Sequence, residues 1–320
     1  MSEEEDIISR KLLLFILINA FATFLIGLVL LLLGYNIYFN ELFYDNQVTY
    51  ITFSIITYLG DVIPSVLIVT TAYYIYDKRF AKNLAYSLLS SSYSNGVLKD
   101  IFQDPRPWTR REVTGYGFPS GHSQNAVAVW GYMAYHARKK NKIVAWIFVF
   151  IAYLIAISRV MVGVHDIQDI WGGLLFGMLF LTIFILLEPR ASEIINSLHI
   201  ALKLLLAIII PVILFLAVML IFPETEIEYG IYCGAMLGIS CGYLVECKFI
   251  QYDPTELEGK ERIINLIIGV IITFVLYFIL SLVDIESQIW DFAQFTILSF
   301  LLVTLVPWIF TVFQAESHVL

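Results

Sequence analysis

The residues able to do chemistry fall in three short stretches of the chain. Ser158 to Asp169 carries Arg159, His165 and Asp169 at the junction of two hydrophobic runs; Phe118 to Gln124 carries Pro119-Ser120-Gly121-His122; and Lys99 is followed by Asp-Ile-Phe-Gln-Asp-Pro and then Arg106-Pro107. An ionisable group near a bilayer centre costs about 2.5–3.5 kcal/mol even on a lenient scale, so these clusters are functional-site candidates. Lys99 offers a compact charge and Arg106 and Arg159 planar forks matched to an oxyanion, with Pro105 and Pro107 stiffening the loop. Pro119 suits the first turn of a helix whose N-terminus, around Ser120 and Gly121, presents backbone N–H groups to an anion, and His122 can give up a proton near neutral pH. Where His165 precedes or begins a helix, Asp169 at i+4 can hold one ring nitrogen and leave the other lone pair as a nucleophile.

Each stretch alone has a plainer reading: a snorkelling lysine and a surface arginine, a capped helix with an interfacial histidine, or a histidine and aspartate at a helix start. The last does not explain why Arg159 accompanies them. Two histidines and an aspartate among three cations also argue against a bound metal, and the expectation is that the chain uses no metal and no cofactor.

The elements that must position these residues are membrane helices. The chain has 320 residues, 59% hydrophobic and 14% charged, with a mean hydropathy of +0.81. A soluble domain runs nearer roughly 45–50% and 25%. Ten runs of about 20 residues, the length that crosses a bilayer, predict an all-α polytopic fold: Leu12–Leu33, Ile51–Tyr76, Leu84–Phe102, Pro119–Ala137, Ile143–Val162, Asp169–Leu187, Ile200–Phe222, Ile231–Phe249, Ile264–Val283 and Ile289–Phe313. Leu12–Leu33 is too long for the core of a signal peptide and reads as the first span. Gly60, Asp61 and Pro64 can split the second run, and the preferred role for Asp61 is the N-cap of its second half. Cys233, Cys241 and Cys247 read as packing residues.

Charge sets an orientation. Fourteen of the 19 basic residues fall on one side in loops preceding the first run and following the second, fourth, sixth and eighth, which the positive-inside rule makes cytoplasmic, together with both termini. The other five, Lys99, Arg106, Arg110, Arg111 and Arg159, share the opposite side, as expected of anion-binding groups. The net charge of −8 comes largely from acidic clusters in tails and loops and implies no nucleic-acid partner. His136, His199 and His318 fall on the cytoplasmic side and have no assigned role.

Lys99-x6-Arg106-Pro107, Pro119-Ser120-Gly121-His122 and Ser158-Arg159-x5-His165-x3-Asp169 resemble the three-part signature of the type 2 phosphatidic acid phosphatase family, whose site is shared with vanadium haloperoxidases. The resemblance covers roughly residues 50–190 and implies a six-helix catalytic core over 1–190, with four further helices over 191–320. It further implies that His165 attacks phosphorus to give a phosphohistidine, Asp169 orients it, and His122 protonates the leaving oxygen and then activates water. Lys99, Arg106, Ser120, Gly121 and Arg159 would hold the phosphoryl oxygens. The expected activity is a metal-independent lipid phosphate or diphosphate phosphatase acting on the non-cytoplasmic face, in the plasma membrane of a prokaryote. Arg110 and Arg111 are candidates for a second phosphate and tilt the substrate toward isoprenoid phosphates or diphosphates over phosphatidic acid or phosphatidylglycerol phosphate. A phosphotransferase using the same phosphohistidine is the alternative. Gly230, Gly234, Gly238 and Gly242 form a small-residue stripe, read as packing of the eighth helix within the chain in preference to a homodimer interface.

Overall fold

The computed structural model describes residues 10–43, 46–107, 114–283 and 285–317; Arg110, Arg111 and His318 lie outside them. Among the described residues the fold is all-α, without a strand. The elements in chain order are α1 (Arg10–Leu32), α2 (Tyr38–Phe43), α3 (Gln47–Tyr58), α4 (Val62–Ile75), α5 (Lys78–Phe102), α6 (Gly121–Ala126), α7 (Tyr132–Ala137), α8 (Lys142–Met161), α9 (Ile167–Ser197), α10 (Ile200–Ile221), α11 (Tyr229–Val245), α12 (Gly259–Ser281) and α13 (Gln288–Ser317).

Eight stretches among the described residues are long and apolar enough to cross a membrane, with α3 and α4 making one of them over Gln47–Ile75. Two of the ten expected runs fall short, for different reasons. α5 is 25 residues long but carries Ser-Ser-Ser-Tyr-Ser-Asn over 90–95 and charges at both ends. The run from Pro119 is divided by a π turn, Val127–Gly131, into the six-residue α6 and α7. The second run is likewise broken at Leu59–Asp61, as glycine and proline suggest.

Two compact units result. One comprises residues up to 65 together with 90–197 and contains every described candidate site residue; the other comprises 66–89 and 198–320. The sequence division near residue 190 puts 66–89 with the catalytic core, whereas those residues pack with the C-terminal segments.

In the first unit α6 packs against α8 and α9, and α1 against α9. Glycine permits the closest approaches: a Cβ on Gly173 would sit 2.5 Å from the Ser120 carbonyl oxygen, and one on Gly177 3.0 Å from that of Gln124. Beside the site, Val160, Ile167 and Ile170 form an apolar cluster covered by Leu30, Leu31 and Phe39.

The second unit is held by a glycine ladder and a buried ion pair. Cβ atoms on Gly230, Gly234 and Gly238 would fall 2.2, 2.3 and 2.3 Å from carbonyl oxygens of Gln288, Phe292 and Thr296, so the stripe on α11 seats α13 of the same chain. Glu246, fully buried, receives Lys78 Nζ at 3.1 Å on each carboxylate oxygen, and the same ammonium donates to the Tyr252 carbonyl at 2.6 Å. Tyr74 adds an edge-on contact with Phe310 and a hydrogen bond to the Leu302 carbonyl, which explains why 66–89 belongs with this unit.

Candidate active site

His165 lies in the turn between α8 and α9, where Gly163 takes a φ of +82° that favours a residue without a Cβ. The turn is clamped by Asn36 of the α1–α2 link and by Asn40 of α2. The Asn36 amide donates to Asp166 Oδ2 at 2.8 Å and its side-chain oxygen accepts from Gln168 N at 2.9 Å, while Asn40 Nδ2 donates to the His165 carbonyl at 2.8 Å. Asp166 Oδ1 accepts from Asp169 N at 2.9 Å, satisfying one of the orphan N–H groups at the start of α9. Asp169 is thereby aimed back along the helix, and its Oδ2 lies 2.8 Å from His165 Nδ1.

The protonation of the ring follows from its partners. Arg106 Nη1 lies 3.1 Å from His165 Nε2, and a guanidinium has only donors, so Nε2 must be the bare nitrogen. The proton then sits on Nδ1 and is donated to Asp169. Side-chain exposures of 2% for His165 and 1% for Asp169 leave this arrangement dry. Burial first, and then the charges of Arg159, Arg106 and Lys99, hold the imidazole well below its ordinary pKa. Its free lone pair is therefore available through the neutral range.

The other cations approach from separate elements. Arg106 is fixed by hydrogen bonds to the Thr114 and Val164 carbonyls at 2.9 and 3.0 Å. Lys99, buried at the end of α5, donates to the Tyr116 carbonyl at 2.6 Å. Arg159, in the last turn of α8, donates from Nη1 to Thr57 Oγ1 at 2.8 Å; its Nε is buried without a partner, a donor that an anion would satisfy. The Tyr116–Phe118 segment lies over the aspartate: a Cβ on Gly117 would come within 2.9 Å of Asp169 Oδ2.

The Pro-Ser-Gly-His turn is tied to the first turn of α9 by the hydrogen bond from Ser120 N to the Asp169 carbonyl at 3.0 Å. Ser120, fully buried, caps α6: its Oγ accepts from Ser123 Oγ at 3.1 Å and from Ser123 N at 3.4 Å. Gly121 follows, where a Cβ would meet Asn95 Oδ1 at 2.9 Å. The polar run on α5 holds this turn: Asn95 Nδ2 donates to the Pro119 carbonyl at 3.2 Å and to Gln124 Oε1 at 3.0 Å, and Gln124 Nε2 donates to the Ser91 carbonyl and Ser94 Oγ.

His122, next in the turn, presents Nε2 to Asp61 Oδ1 at 2.7 Å. The expected N-cap role for Asp61 is thus divided. Its backbone carbonyl accepts from Ser65 N at 3.2 Å, as a cap residue's does, but its carboxylate turns to the imidazole instead of to a backbone N–H of α4. The structure thus gathers Lys99, Arg106, Ser120, Gly121, His122, Arg159, His165 and Asp169 within one unit. It adds Asp61, Thr57, Asn36, Asn40 and Asn95, which motif spacing does not single out.

Comparison with known proteins bears on this arrangement. Residues 80–193 match the model of the PAP2 superfamily, and residues 230–318 that of the transmembrane extension of PAP2 superfamily phosphatases. Phosphatidylglycerophosphatase B of Bacillus subtilis (strain 168) is 34% identical over 137 residues, 39% of this chain and 68% of that protein. Lipid phosphate phosphatase delta of Arabidopsis thaliana is 25% identical over 139 residues, which span 37% of this chain but only 33% of that relative. A crystal structure described as the first transmembrane PAP2-type phosphatidylglycerolphosphate phosphatase from Bacillus subtilis matches 53% of this chain and 96% of its own, at 25% identity and a TM-score of 0.44.

Proposed function

This chain belongs to the PAP2 superfamily of membrane lipid phosphatases, and on that premise we propose that it hydrolyses a lipid phosphate or diphosphate through a phosphohistidine on His165, at the non-cytoplasmic face of the membrane. One observation carries the reading: His165 has Nδ1 on a buried carboxylate and a bare Nε2 amid arginine donors.

In the first step Nε2 attacks phosphorus in line, the bond from phosphorus to the lipid oxygen breaks, and His122 gives its proton to that oxygen. In the second step a water attacks the phosphohistidine, His122 takes the water's proton, and the phosphorus–nitrogen bond breaks to return neutral His165. Arg106 exchanges its contact with Nε2 for a phosphoryl oxygen, and Arg159 Nε and Lys99 receive others. The Ser120 hydroxyl and the Gly121 N–H complete the cradle. Positioned charges of this kind stabilise a phosphoryl transition state directly.

The cationic donor set supports a metal-independent reaction. Purified protein should release phosphate undiminished in EDTA; loss of activity that Mg²⁺ restores would overturn this part of the reading. Free phosphate from a single lipid substrate distinguishes hydrolysis from transfer to an acceptor.

Two substrate readings have separate supports. Arg110 and Arg111 favour an isoprenoid phosphate or diphosphate, and the name of the Bacillus subtilis relative favours phosphatidylglycerol phosphate. Phosphate release from matched micelles of polyprenyl diphosphate, polyprenyl phosphate, phosphatidylglycerol phosphate and phosphatidic acid decides between them. A variant with alanine at 110 and 111 should lose activity on the diphosphate selectively under the first reading and lose none selectively under the second.

A further inference from the structure

The corner between α3 and α4 reaches two side chains of the site at once. Thr57, in the last turn of α3, accepts from Arg159, and Asp61, three residues past the end of α3, meets His122 Nε2 at 2.7 Å. Gly60 makes the approach possible. A Cβ there would lie 2.8 Å from Ile155 Cγ2 and 3.1 Å from His122 Cδ2, so only a bare backbone lets the corner press against the imidazole. This segment lies outside the stretch that matches the family model, which begins at residue 80.

We propose that Asp61 is a positioning residue for His122, accepting its Nε2–H so that Nδ1 is the nitrogen presented to the leaving oxygen. The inference rests on the general-acid reading of His122 given above. A carboxylate on one ring nitrogen fixes the tautomer and ring orientation and favours the imidazolium that must form when the other nitrogen takes a proton from water. The pair repeats the logic of His165 and Asp169 with the ring nitrogens exchanged: there the carboxylate holds Nδ1 and Nε2 reacts. The groups facing His122 are Asp61 from the corner, Arg159 from α8 and Lys99 from α5. The two cations oppose the imidazolium and Asp61 alone among the three favours it. The bare Nδ1 of the neutral ring then serves as the base in the second step.

The test uses full-length protein in detergent and two substrates that differ in leaving group, a lipid phosphate and p-nitrophenyl phosphate, since a nitrophenolate departs without an acid. Asp61→Asn should lower kcat on the lipid by roughly 10- to 100-fold, less than the roughly 10²–10⁴ that a general acid supplies. It should lower the aryl rate much less, and move the alkaline limb of the lipid profile to lower pH. Asp61→Glu should recover part of the loss. His122→Ala is the reference and should show the same leaving-group discrimination more strongly. Equal losses on both substrates with an unmoved pH profile would reduce Asp61 to a structural contact and overturn the proposal, as would an Asp61→Asn enzyme of unchanged rate. Should His122→Ala itself fail to discriminate, the general-acid role of His122 falls and the proposal falls with it. Thermal melting of each variant shows whether a loss comes from unfolding.

Discussion

The site contains two histidine–aspartate pairs that differ in how they are built. His165 and Asp169 are four residues apart, straddle the start of α9, and are almost wholly buried. His122 and Asp61 are 61 residues apart, come from α6 and from the corner between α3 and α4, and remain partly open, with side-chain exposures of 24% and 41%. A nucleophile needs a fixed tautomer and a dry surrounding; a group that passes protons to a lipid oxygen and takes them from water must stay within reach of both. On the proposed mechanism, the contrast teaches how one fold would tune two imidazoles for different duties, by placing the carboxylate locally in one case and in the corner between two helices in the other.

Breaking the buried pair should have the largest effect. His165→Ala is expected to lower phosphate release by about 10⁴-fold or more, with the melting temperature little changed, as loss of a catalytic nucleophile does. Asp169→Asn comes next, at about 10³- to 10⁴-fold, because the amide can hold the wrong tautomer. Arg159→Ala should cost about 10²- to 10³-fold in kcat/KM, and Arg159→Lys less than that, since a point charge retains attraction but not the fork. The open pair should be gentler: Gly60→Ala, which crowds the His122 ring, is expected to lower kcat by about tenfold and leave KM nearly unchanged.

A pH profile sharpens the same comparison. His165 is held well below its ordinary pKa by burial and neighbouring cations, so it stays neutral as pH falls and is protonated only well under the usual histidine range. The acid limb of kcat/KM should therefore lie far below pH 6.5. On the proposed mechanism, activity there depends on the proton being absent from His165, whereas the alkaline limb would report loss of the proton from His122. An acid limb centred near the ordinary histidine value would contradict the buried geometry of the first pair.

Much of the first pair was legible in the sequence, and little of the second. An i to i+4 spacing at the start of a helix reports contact directly, because helix geometry is local. Asp61 and His122 are joined by tertiary packing, and the nearer signals at Asp61, a preceding glycine and a following Pro64, argue as well for a cap. Among the described residues eight of the ten hydrophobic runs qualify as spans by length and composition, and α5 does not because Ser91, Ser94 and Asn95 make it too polar. That polarity serves the Pro-Ser-Gly-His turn. The α1–α2 clamp by Asn36 and Asn40 was equally hidden, because two asparagines after a span read as an ordinary loop. The glycine stripe of α11 was visible as a pattern, while its partner α13 was fixed only by the carbonyl contacts.

The hydrogen bond from Arg106 to His165 Nε2 has a consequence for the idle enzyme. With no phosphate bound, the lone pair that would attack phosphorus accepts a guanidinium proton, so the imidazole should react slowly with alkylating and acylating reagents. Under the proposed mechanism, an arriving phosphate would draw that guanidinium to its own oxygens and bare the nitrogen in the same movement. The substrate would thus unmask the group proposed to attack it.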